Sequence, residues 1–262
     1  QPVVVPMSKL IVHQFPCLSD NYGYLLHDPE TGSTAAIDTP EVAPILKALE
    51  EKGWTLTHIL NTHHHFDHAG GNLELKEKTG CTIIGPKGEA QRIPGIDTAL
   101  GDGDTCPFGS REAKVLEVGG HTLGHIAYYF PQDGIAFVGD ALFALGCGRI
   151  FEGTAEQMWT SLQKLMGLPD ETVVYCAHEY TQANARFAAT IEPANKALQE
   201  RIREIDAKRA EGKPTVPTTI GLEKATNPFL RPMSEDVQKT LNLVGAPLVD
   251  VFAETRARKD SF

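Results

Sequence analysis

The sequence predicts a mixed α/β (α+β) fold in which sheets are flanked by helices and a helical subdomain closes the chain. Three observations carry this. Short β-rich runs bounded by turn residues recur from the N-terminus to about residue 176 of the 262-residue chain. Two stretches among them show the apolar spacing of a helix. After His178 the composition turns to Ala, Glu, Lys and Arg, and strand signals cease.

Residues 10–15, 22–27 and 34–37 read as successive strands. Thr39-Pro40-Glu41 then opens a helix whose apolar positions Val42, Ile45, Leu46 and Leu49 share one face and which stops at Gly53. Strand signals return at 58–60, 82–84, 114–118, 126–130, 135–138 and 172–175. Between the last two, Thr154 with Gln157 resembles a capping box, starting a helix through Met158, Leu162 and Leu165. Beyond His178, residues 182–211, 234–241 and 249–258 read as helical, punctuated by a Pro/Thr/Gly segment at 213–221. The expected division is therefore 1–178 and 179–262.

Composition bounds the function. Apolar residues at 41% and charged residues at 22% are ordinary for a soluble globular protein, and no run is long enough to span a bilayer. A net charge of −10 disfavours a general polyanion-binding face, so neither nucleic acid nor membrane is an expected partner, though a small basic pocket is compatible. Cys17, Cys81, Cys106, Cys147 and Cys176 are odd in number, scattered and without a CxxC pair, which points to a reducing compartment and hence the cytoplasm. The first residues lack the basic start and small-residue cleavage site of a signal peptide; Met7-Ser8 reads as a native start, with a removed leader left open.

The most informative run is Thr62-His63-His64-His65-Phe66-Asp67-His68, directly after apolar Ile59-Leu60. Imidazole and carboxylate are the usual ligands of zinc, iron and manganese, and a loop this tight can turn several donors toward one point. One ion cannot readily use all of them. Two metals sharing the loop is the better reading, and paired metals are a hydrolytic arrangement.

Three more donors sit just past the carboxyl ends of predicted strands: His121, Asp140 and His178. In α/β folds those ends line a common crevice. With His63, His65, Asp67 and His68 they make five imidazoles and two carboxylates, enough for two ions bridged by Asp140. His13, His27 and His58 read as strand residues, and His64 as a solvent-side neighbour. His125 and Asp38 are candidates for orienting ligands by hydrogen bonds, while Cys147 and Cys176 read as small buried packing groups.

THHHFDH, GGHTLGH, FVGD, GCGRIFEGT, AHEYTQANARFA and KATNPFLR together resemble the hydroxyacylglutathione hydrolase (glyoxalase II) family of the metallo-β-lactamase fold superfamily, over essentially the whole chain. The resemblance implies an αββα sandwich whose catalytic domain is 1–178 and a helical glutathione-binding domain at 179–262. It implies two divalent ions, zinc first with iron or manganese as alternatives. His63, His65 and His121 would hold one, Asp67, His68 and His178 the other, and Asp140 would bridge them. Asp67 and Asp140 are the expected catalytic residues. Arg149, Phe151, Tyr180, Arg256 and Lys259 are the expected glutathione contacts. Two departures are visible: Val118-Gly119-Gly120 stands where members often have Thr-Pro-Gly, and Phe151 stands where some have Tyr.

The implied reaction is hydrolysis of S-D-lactoylglutathione to D-lactate and glutathione by a metal-bridging hydroxide, a step in methylglyoxal detoxification. A monomer acting on a small glutathione thioester is expected. Arg149, Arg256 and Lys259 would form a cationic patch for this net anion on an otherwise acidic chain. Rival readings are a lactonase, a β-lactamase, a one-metal persulfide dioxygenase or a non-catalytic metal-binding or interaction protein; the full second-metal set and the helical tail argue against the dioxygenase, and a donor set with no ligand lost argues against the non-catalytic reading.

Overall fold

Strand signals in the first hundred residues become one six-stranded sheet in a computed structural model that describes residues 8–262, so Met7 of the expected start lies outside the described residues. The chain forms two compact units, Gln1–Val115 with Tyr128–Asp133, and Leu116–Ala127 with Gly134–Phe262. In the first unit β1 (Ile11–Cys17), β2 (Asn21–His27) and β3 (Thr34–Ile37) pair antiparallel in succession. Then β4 (His58–Leu60), β5 (Thr82–Pro86) and β6 (Thr98–Leu100) continue the sheet in parallel.

The helix α1 (Val42–Lys52) is the crossover from β3 to β4, and it buries Ile45, Ala48 and Leu49 among Leu25, Ala36, Ile59 and Ile83. Gly53 ends it at φ 68°, a left-handed cap that a side chain would disfavour. Apolar spacing does not predict α2 (Phe66–Ala69) or α3 (Asn72–Thr79), because α2 is a single turn and α3 buries only Asn72 and Leu75. Parallel pairing of β3, β4 and β5 sends their carboxyl ends the same way. Asp38 and the His-rich run follow two of those ends directly. The hairpin of β7 (Thr105–Phe108) and β8 (Arg111–Glu117) comes next, and then β9 (Ile126–Phe130).

In the second unit, β10 (Ile135–Gly139) leads into a small hairpin, β11 (Leu142–Phe143) with β12 (Gly146–Cys147). The Thr154 hydroxyl accepts the Gln157 N–H at 3.1 Å and starts α4 (Ala155–Met166), which buries Met158, Leu162 and Leu165. Next, β13 (Val173–Cys176) pairs parallel with β10. The helical stretch expected at 182–211 is two helices, α5 (Thr181–Ile191) and α6 (Lys196–Ala210). Pro193 disfavours helical backbone at Glu192, and the Asn195 side chain caps the second helix by accepting Leu198 N–H at 3.1 Å.

The Pro/Thr/Gly segment contributes more than a break. It contains β14 (Thr218–Thr219), antiparallel to β13, and the start of α7 (Ile220–Thr226). Two residues are too few to show a strand period, so this element exists through its partner. A 3-10 turn at Pro228–Leu230, α8 (Glu235–Leu241) and α9 (Leu248–Asp260) complete the unit. Among the described residues no helix is long and apolar enough to cross a membrane.

Candidate metal centre

In the first unit the donor run leaves β4 through Asn61 and Thr62, places His65 at the N-terminal cap of α2, and puts Asp67 and His68 inside that one turn. Asp38, just past β3, organises the run from behind. It adopts φ 63°, a conformation Asp tolerates better than most residues. One carboxylate oxygen accepts the Thr62 backbone N–H at 2.8 Å; the other accepts the Thr62 hydroxyl at 2.8 Å and faces His68 Nδ1 at 2.8 Å. Since the Thr62 hydroxyl donates to Asp38, it accepts from His63 Nδ1 at 2.9 Å. Both imidazoles are buried, with ring centroids 4.0 Å apart, and ligand-type atoms of Asp38, His63 and His68 lie within 4.8 Å of one another.

The partner atoms fix the tautomer. Asp38 can only accept, so the proton of neutral His68 sits on Nδ1 and its Nε2 carries a lone pair. That lone pair is 3.3 Å from Asp67 Oδ2, an oxygen that also takes the Asn21 amide at 3.0 Å. Placed this way, the two atoms are donors that could hold a metal ion.

The second unit repeats the arrangement with one carboxylate between two rings. His121 Nδ1 donates to the Arg149 carbonyl at 2.7 Å, so its Nε2 lone pair faces Asp140 Oδ2 at 3.3 Å. His178 Nε2 stands 3.2 Å from the other oxygen, Oδ1. Each oxygen of Asp140 thus serves a different imidazole. Its backbone N–H donates to Nε2 of fully buried His125 at 3.1 Å. Glycines permit the approach. Gly120, before His121, holds φ 143°, and a Cβ on Gly148 would stand 2.0 Å from the Asp140 carbonyl oxygen.

Around this set lie the other expected residues. Phe151, 61% exposed, sets its ring edge-on to His121 at 5.2 Å, and Tyr180 stacks on His178 at 4.7 Å. Arg149 is exposed, with Nε 3.5 Å from Asp260. Arg256 is only 7% exposed: it donates to the Cys147 carbonyl at 2.7 Å, pairs with Asp260 at 2.9 Å and lies 5.0 Å over the Phe229 ring. Burial, then the nearby charges of Arg256 and Arg149, hold Lys259 below the usual lysine range. All five cysteines are buried and none is in a disulfide; burial pushes Cys176 up to about 12 and raises Cys147 despite Arg256 beside it.

The family model for the metallo-beta-lactamase superfamily matches residues 24–178, and that for the hydroxyacylglutathione hydrolase C-terminus matches 179–262. The hydroxyacylglutathione hydrolase of Methylococcus capsulatus is 59% identical over 97% of this chain and 99% of its own length. The chain belongs to the hydroxyacylglutathione hydrolase family.

The hydroxyacylglutathione hydrolase of Maricaulis maris is 56% identical, over 98% of this chain and 100% of its own. Among solved structures, ETHE1 from Myxococcus xanthus superposes with a TM-score of 0.66 at 29% identity, covering 96% of this chain and 99% of that one. A second, crystallised in a di-iron-bound form, gives 0.60 at 25% identity, covering 84% and 100%. This chain carries the metallo-β-lactamase fold.

One expectation about the run fails. His64 does not face solvent: its side chain is 13% exposed, and both its N–H, at 2.9 Å, and its Nδ1, at 2.6 Å, meet the buried Glu89 carboxylate. His13, His27 and His58 do lie on strands. Asn21 and Glu89 escape sequence reasoning, since each is a lone polar residue far along the chain from the donor it holds.

Proposed function

We propose that this chain hydrolyses S-(2-hydroxyacyl)glutathione thioesters, with S-D-lactoylglutathione giving D-lactate and glutathione, as a metal-dependent enzyme of methylglyoxal detoxification. The observation that carries the reading is Asp140, whose two oxygens face His121 and His178 at 3.3 and 3.2 Å, in a chain that matches the family models over residues 24–262. We assign His63, His65 and His121 to one divalent ion, Asp67, His68 and His178 to a second, and Asp140 to both. Zinc suits imidazole and carboxylate donors, and iron or manganese would suit them as well. When bound, such a pair makes water nucleophilic near neutral pH and polarises a carbonyl.

The chain's own residues do the rest. Asp38 and the Arg149 carbonyl keep the proton on Nδ1 of His68 and His121, so that both present Nε2. Arg149 and Lys259 supply positive charge for the carboxylates of glutathione, Phe151 and Tyr180 offer aromatic surface, and Arg256 braces the segment that carries Arg149. A thiol of pKa about 8.5 leaves as thiolate, so no general acid is required of the protein. We assign catalysis to 1–178 and glutathione recognition to 179–262, in a cytoplasmic monomer with no nucleic-acid or membrane partner.

The test is loss of thioester absorbance when the purified chain meets S-D-lactoylglutathione, before and after metal removal by a chelator. Rapid loss that stops on chelation and returns with added metal is expected. A metal-loaded protein that leaves the thioester intact refutes the assignment.

A further inference from the structure

The segment from Asp140 to Arg149 touches the donor set at both ends. Asp140 opens it, Gly148 packs on the Asp140 carbonyl, and the Arg149 carbonyl holds His121 Nδ1 at 2.7 Å. Between them the β11–β12 hairpin turns through Leu145 at φ 61°, a left-handed conformation costly for leucine. Something must hold that turn in place.

Two residues of the KATNPFLR region and its flank do so. Glu223, fully buried, accepts the Leu145 N–H at 2.8 Å and the Asn227 amide at 3.2 Å. The same Asn227 amide reaches the carbonyls of Gly146 at 3.0 Å and Phe143 at 3.3 Å. Both are anchored from behind: Arg201 pairs with Glu223 at 2.6 Å, and the Asn227 side-chain Oδ1 accepts the Phe229 N–H at 2.9 Å. Buried ion pairs contribute little net stability because desolvation offsets their attraction; their better-attested use is to specify position. Here they specify the hairpin.

We infer that Glu223 and Asn227 are positioning residues for the metal centre, fixing the hairpin and through its two ends the orientation of Asp140 and His121. This rests on the reading of those two residues as metal ligands. The test uses the full chain stripped of metal and reloaded with Co2+, comparing Asn227→Ala and Glu223→Gln with a control, Arg231→Met. Arg231 makes a two-pronged pair with Glu192, at 2.7 and 2.9 Å, in the same unit, and none of its bonds is to the hairpin.

The two variants should alter the visible Co2+ spectrum and weaken Co2+ binding about 10- to 100-fold, as loss of a ligand's supporting shell does. The control should lower Tm while keeping the wild-type spectrum and affinity. If both variants lose Tm as the control does but bind Co2+ with wild-type spectrum and affinity, the inference is overturned. Should Glu223→Gln fail to fold, Asn227→Ala, which leaves the Arg201 pair intact, decides on its own. A wild-type chain that binds no Co2+ overturns the metal-centre reading and this inference together, so the two failures are distinguishable.

Discussion

Asp38→Asn changes one atom, and it should cost metal affinity by reversing a tautomer. Asp38 Oδ1 receives the Thr62 backbone N–H at 2.8 Å and the Asn61 amide at 3.5 Å, neither of which can accept in return. An asparagine must therefore keep its oxygen there and place its NH2 where Oδ2 now stands. The Thr62 hydroxyl can rotate to accept from it. His68 Nδ1, 2.8 Å from that position, must become an acceptor, which moves the imidazole proton to Nε2, the nitrogen assigned to the metal. Binding a metal then requires His68 to give up the new hydrogen bond and face one buried donor with another. That costs about 1–3 kcal/mol, or about 5- to 150-fold in affinity. Competitive titration of the metal-free chain with Zn2+ against a chromophoric chelator measures it. Wild-type affinity at both sites in Asp38→Asn, with the fold intact, would refute the tautomer argument.

Two further predictions come from the first unit. Glu89→Ala leaves the His64 N–H and Nδ1 without their buried acceptor, so thermal unfolding should report a loss of about 1–3 kcal/mol, largely restored by Glu89→Gln, whose oxygen can still accept the N–H. His58, which faces the Thr57 hydroxyl at 2.7 Å, has its pKa lowered by burial, as do His13 and His27. Between an unfolded value of about 6.5 and the lower folded values, the unfolded chain binds more protons, so stability falls as pH drops below about 6.5. His58→Gln should lessen that fall in Tm between about pH 6.5 and 5; a slope equal to wild type would remove His58 as a contributor.

How much of this was legible in the sequence depended on how far apart the interacting residues lie. The donor run is contiguous, and His121, Asp140 and His178 each follow a strand whose apolar run marks its end, so the donor set could be read without contacts. Asp38 could be suspected because it too follows a strand. The Asn21 amide reaches Asp67 across 46 positions and Glu89 reaches His64 across 25, and no local period records either pairing. His64 differs from its reading for that reason: its neighbours suggest an outward face, but it is held by Glu89, an acid in the 3-10 turn Lys87–Arg92. Among the elements, β14 has two residues and α2 a single turn, too little for a period to show.

Arg256 shows the limit most sharply. From sequence Arg256 is a glutathione contact by resemblance, grouped with Arg149 and Lys259 in a cationic patch on an otherwise acidic chain. In the fold its guanidinium is buried over Phe229 and already donates to the Cys147 carbonyl and to Asp260. Composition reports how much positive charge the tail carries; it cannot report which cation is already engaged inside the protein. By that argument we propose the exposed Arg149 side chain, on the segment that Arg256 braces, as the more direct contact for a glutathione carboxylate.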